Sequence, residues 1–233
     1  MTSRLRRRPG EAASFLFTLL VMAIASRRRG PGRCRLRRIA TSAEVRRSRE
    51  LAERRLRARA AEIEEGSPWG PPLRTSLVDV CSRGGGRNLL DQNAPRQPAM
   101  TCVMRLHLYF VVDRPVPQVL EDLRAMTAPV AWSASTIDST LRHYPNRTAG
   151  TPYTWPPSIN SRTGGERLAW DAPGDDPKAK LPEPCPRHRT VLRTCVSDPA
   201  DLTLAALRER PGTLFVWTLT TGYEEVHSPA GRR

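Results

Sequence analysis

The sequence predicts an α+β domain in the C-terminal half, preceded by a basic N-terminal arm that is partly helical and partly disordered. Three observations carry this. Strand-like and helix-like runs alternate between residues 101 and 225. Gly, Pro and polar clusters punctuate them. The charge is also uneven. Residues 1–100 hold 22 Arg, no Lys and 9 acids, a net of +13; residues 101–233 hold 16 basic and 14 acidic residues, a net of +2. A basic excess confined to one half suits an arm that meets polyanions, either nucleic acid or an anionic membrane face.

Residues 1–40 read as a basic hydrophobic targeting or anchor segment. "AASFLFTLLVMAIAS", residues 12–26, is largely apolar over 15 positions, against ~20 for a spanning helix. Four Arg precede it and seven follow by Arg38. That asymmetry favours the cytoplasmic side for the bulk of the chain, with residues 1–40 against an anionic membrane surface. Residues 41–66 form a charged helix. Thr41 and Glu44 make a capping-box pattern and Gly66 a stop. Val45, Ala52, Leu56 and Ile63 give only a thin apolar stripe, which predicts a solvated helix or weak coiled coil. Residues 67–100 are a Gly/Pro-rich linker with one short strand, Thr75–Val80. Selection for bidentate phosphate contacts would account for 36 Arg against two Lys; so would a GC-rich genome. On that view the upstream hundred residues lie outside a selected reading frame, with Met100 or Met104 as the start.

The C-terminal half begins with a strand at Thr101–Val112. A helix follows at Gln118–Met126, then a strand at Pro129–Ser135. Residues 136–187 are a loop-rich insertion in which only Ser139–His143 and Glu166–Trp170 suggest local structure. "HRTVLRTCVSD" is a strand. "DPADLTLAALRER" is a helix with Asp198 as N-cap and Pro199 at N1. "PGTLFVWTLTTG" is the last strand, and residues 226–233 are a tail. Two β-α-β units in one domain describe a ferredoxin-like, RNA-recognition-like βαβ-βαβ sandwich over residues 101–225. Four antiparallel strands would carry both helices on one face and leave the other free.

Alternation along the first strand sends Met104, Leu106, Leu108 and Phe110 to the helix side and Arg105, His107 and Tyr109 to the free side. Arg193 joins the free side from the third strand. Trp217 belongs either to the core or to the free face. Arg, His, Tyr and Trp on an open sheet make a platform for single-stranded nucleic acid, with bases stacked on rings and Arg on phosphates. Arg105, His107, Tyr109, Arg193 and Trp217 are the candidate contacts.

Five cysteines at wide spacing do not read as a disulfide framework, and a reducing compartment is favoured. Cys102 and Cys195 fall on opposite sheet faces. Cys185, His188 and Cys195 lack a fourth ligand, so no metal site is expected from them. Asn146-Arg-Thr is a formal glycosylation sequon.

Leu106–Pro117, "LHLYFVVDRPVP", resembles the His-bearing strand of archaeo-eukaryotic-type primases, including plasmid and phage replication primases. "LVDV" puts Asp79 on the preceding strand of that pattern, and "LAWD" or "TID" supplies Asp171 or Asp138. The resemblance implies catalytic roles for His107, binding nucleotide, and for Asp79, binding Mg²⁺ or Mn²⁺. Cys81 stands where the second acid belongs and Arg105 where a small residue is usual. Outside that resemblance no cofactor is expected.

The functional expectation is a basic nucleic-acid-binding protein that uses the open sheet face and the Arg-rich arm. The alternatives are a membrane-associated non-enzymatic protein held by residues 12–26, and a degenerate primase-like nucleotidyltransferase.

Overall fold

A hairpin of two long strands frames the domain. β1 (Arg74–Arg83) and β2 (Met100–Val112) pair antiparallel from Arg74↔Tyr109 to Arg83↔Met100. The structure is a computed structural model. It describes residues 32–84, 98–126, 132–148 (side chains of 145–148 excepted), 155–161, 164–174, 176–185 and 190–227. The apolar segment 12–26, the glycine run after Gly84, residues 127–131, the Asn146 side chain and His188 lie outside this description.

β6 (Thr213–Val226) covers the other edge of β2, with a bulge at Cys102/Val103. β5 (Leu192–Asp198) flanks β1. β4 (Glu166–Trp170) flanks β6, and β3 (Ser158–Asn160) pairs with β4. The fold is thus α+β, around one antiparallel six-stranded sheet of order β3-β4-β6-β2-β1-β5.

The four-stranded βαβ-βαβ arrangement is not what forms. β1 comes from the stretch read as a linker, and it occupies the place beside β2 that the third predicted strand would take. That strand, β5, moves to the edge. Of the expected strand at Pro129–Ser135, residues 129–131 lie outside the described residues, and Ala134 and Ser135 open a helix instead.

Helices α1 (Arg33–Ala40), α2 (Ala43–Gly66), α3 (Val116–Ala125) and α4 (Ala134–Thr148) precede or interrupt the sheet strands. Ser42, rather than Thr41, caps α2 by accepting the Val45 N–H, while the Thr41 hydroxyl donates to Arg37 O at the end of α1. α2 is no solvated spacer. Val45, Ala52, Leu56, Ala60 and Ile63 are all buried, and four of the five join the core with Met104, Leu106, Leu108 and Phe110. The stripe looks thin because two of its members are alanines. Small side chains let the helix backbone approach the sheet, so little apolar width is needed.

The second face of the sheet is half covered. α5 (Leu204–Arg208) and the segment at Leu181 bury Tyr109, Ala169, Leu214 and Val216. α5 starts later than Asp198, because the β1–β5 ladder runs on through Thr75↔Asp198 and Thr203 provides the cap.

Four of the five cysteines are bonded, which overturns the reading of no framework: Cys81–Cys102 and Cys185–Cys195, with Cys34 free and exposed. Register explains the first. Cys81 and Cys102 are directly opposed on adjacent strands, with Cα atoms 4.0 Å apart. Cys102 and Cys195 do face opposite sides, as alternation required.

Candidate functional site

Strand parity sorts the candidate residues. On the helix side Asp79, Leu106 and Trp217 lie in register rows with Met104, Leu219 and Leu108. On the second side His107 is flanked by Ser76 and Thr218, and Arg105 by Val78 and Thr220. His107 and Asp79 therefore sit on opposite faces of one sheet and cannot act on a common ligand. The primase pattern in sequence is not a site in space.

Asp79 is committed elsewhere. It is 2 % exposed and accepts from Arg49 Nε at 2.6 Å and from Tyr223 Oη–H at 2.6 Å. Arg49 also donates to Ala40 O at 3.2 Å and Tyr223 Oη at 3.3 Å. Burial, then the neighbouring Asp79 carboxylate, push the Tyr223 phenol upward, so it stays a donor. This cluster ties α1, α2, β1 and β6 together. The other two carboxylates of the pattern are also apart. Asp171 pairs with Arg208 at 2.6 Å and accepts the Leu181 N–H, while Asp138 pairs with Arg124. Among the described residues, no three His, Cys, Asp or Glu side chains group so as to hold a metal. Cys185 and Cys195, bonded to each other, are not available as thiolates.

The aromatic half of the proposed platform is buried. Trp217 is 1 % exposed, packs against Trp132 with centroids 4.8 Å apart, and donates Nε1–H to Glu166 Oε2 at 3.0 Å. Tyr109 is 2 % exposed beneath Arg74, whose guanidinium carbon lies 5.7 Å from the ring centroid. Neither ring can take a base. Arg193 is exposed on β5, on the same side as His107. Sequence alternation placed Arg105, His107 and Arg193 correctly, but it could not show that α5 and Leu181 roof over Tyr109.

What remains open on the second side is a polar strip without stacking surfaces. His107 Nδ1 lies 2.9 Å from Thr218 Oγ1. Burial first, then the Arg105 charge, lower the imidazole from 6.5 to about 4. The neutral ring is the folded form at pH 7. The unfolded chain takes up this proton near 6.5 and the folded chain only near 4. The associated stability is full above 6.5, falls as pH drops through that window, and levels off below 4. We expect the stability difference between the native chain and His107→Asn to change by up to about 3 kcal/mol between pH 7 and pH 4. Urea titrations across that range check it, and a pH-independent difference rejects it.

The arginines of the arm are displayed on two helices, of which the sequence predicted the second, over residues 41–66, and not the first. Arg33, Arg35, Arg37 and Arg38 on α1, and Arg46, Arg47, Arg54, Arg55 and Arg57 on α2, are all exposed. Residues 33–57 hold ten Arg and three Glu, a net of +7. Leu51, 42 % exposed, stands between Arg47 and Arg54 at helical spacing on the outer side of α2. No helix among the described residues is long and apolar enough to cross a membrane.

Comparison with protein-family models, curated proteins and solved structures finds no match to this chain.

Proposed function

We propose that the protein is a membrane-associated, non-enzymatic binding protein, anchored by residues 12–26, with the arginine face of α1 and α2 lying against anionic headgroups. The observation that carries it is the α2 outer face. A half-exposed Leu51 set between Arg47 and Arg54 is how a helix lies in a lipid interface, apolar side chain down and cations at the phosphates. Packing of α2 on the sheet holds that face in one orientation. The arginines begin directly after the apolar segment, within reach of the surface it would enter. The two disulfides support an oxidising side of that membrane. That differs from the cytoplasmic side expected from Arg counts, and it weighs more because bonded cysteines persist poorly in a reducing compartment.

Nucleic acid is the second reading, favoured by the same exposed arginines but now without Tyr109 and Trp217 as stacking rings. One experiment separates them. The full chain should float with vesicles containing phosphatidylglycerol and resist carbonate extraction. Deleting residues 12–26 should leave a salt-sensitive attachment. Arg47→Gln with Arg54→Gln should weaken that attachment by about 2 kcal/mol, roughly thirtyfold. A chain that ignores vesicles and shifts a single-stranded oligonucleotide, with steep salt dependence, turns the reading to nucleic acid.

A further inference from the structure

On the side of the sheet away from α2, β2, β6 and β4 run side by side. Arg105 of β2 is opposite Thr220 of β6, and Arg167 of β4 is opposite Thr218 of β6. The two arginines thus flank the threonine pair diagonally. Two strand spacings and a two-residue offset put their Cα atoms about 12 Å apart. Both side chains are exposed, and neither has a hydrogen bond or ion pair to a described residue. Between them no strand position on this face carries a carboxylate. Asn160 of β3, opposite Arg167, adds an amide at the same edge. Elsewhere in the domain, Arg49, Arg59, Arg74, Arg114, Arg124 and Arg208 are each paired with an acid.

We infer that Arg105 and Arg167, with Thr218 and Thr220 between them, form a binding site for a tetrahedral oxyanion, a phosphate or sulfate group. Two forked guanidiniums approaching from opposite strands match the several acceptor oxygens of such a group. The threonine hydroxyls lie beneath it as donors. His107 sets the direction of one of them. With the proton on Nδ1, the ring donates to Thr218 Oγ1 at 2.9 Å and leaves the Thr218 O–H to point outward. The site is on the opposite face from the arginines of α1 and α2, so a chain attached to a membrane through that helix face would present it away from the membrane.

The full chain in zwitterionic detergent tests this, with no anionic lipid present, so a failure of membrane attachment does not affect the result. Inorganic phosphate should raise the thermal unfolding midpoint saturably, beyond sodium chloride at equal ionic strength. Arg105→Gln and Arg167→Gln should each weaken the apparent affinity about tenfold, whereas Arg142→Gln at the exposed surface of α4 should leave it unchanged. Tighter binding of glycerol phosphate than of phosphate identifies the group as part of a larger ligand; equal binding identifies the free ion. An effect no larger than that of chloride, or one that survives in the Arg105→Gln, Arg167→Gln double variant, overturns the site. The unfolding midpoints without anion, expected within a few degrees of the native chain, show whether the variants fold.

Discussion

Asp79→Asn should destabilise the domain by about 3–5 kcal/mol, since it breaks a buried ion pair by removing one partner. The carboxylate accepts from Arg49 and Tyr223, both at 2.6 Å. An amide in its place turns one acceptor into a donor that faces the guanidinium. Arg49 then keeps only Ala40 O and the Tyr223 oxygen. The damage spreads because Arg49 is on α2, Asp79 on β1 and Tyr223 on β6. Urea unfolding should show a lower midpoint with the slope retained. Tyr223→Phe, which leaves the ion pair in place, serves as the mild comparison at about 1 kcal/mol. If Asp79→Asn is as stable as the native chain, the carboxylate is not the structural centre described here.

Trp217→Ala should be comparably severe, about 3–5 kcal/mol for a buried Trp truncated to Ala. The ring fills the space between Trp132 and Trp69, opposite Leu108 and Leu168 in adjacent strands. Its loss also takes the Nε1–H donor from Glu166, which keeps Arg59 at 2.9 Å. The outcome also decides between the two places open to Trp217 in sequence. A ring on a nucleic-acid platform would lose binding and keep stability; a core ring does the reverse. Near-native stability of Trp217→Ala would return the ring to the surface.

Alternation along Cys102–Val112 was legible because a strand repeats every two residues, whatever its neighbours. It correctly assigned Leu106, Leu108 and Phe110 to the helix side and Arg105 and His107 to the other. The stripe on α2 was legible too in Val45, Ala52, Leu56 and Ile63, with Ala60 missed. What it packs against was not, since two alanines and Arg49 look the same on a solvated helix. Val196 shows the limit from the other side. Its parity is that of the core, yet it is 64 % exposed, because β5 ends up on the sheet edge.

Local pattern and charge therefore determined the α+β class, the strands at Thr101–Val112 and Thr213–Gly222, the face on which each β2 side chain lies, and the concentration of arginine ahead of the sheet. These depend on period and composition, which one segment carries alone. The tertiary structure decided that β1 enters the sheet between β2 and β5, that Asp79 faces Arg49 and not His107, that Tyr109 and Trp217 are buried, and which cysteines bond. Each of those is a relation between segments far apart in the chain. Strand order and register select among many pairings of similar local pattern, and no single stretch of residues states the choice.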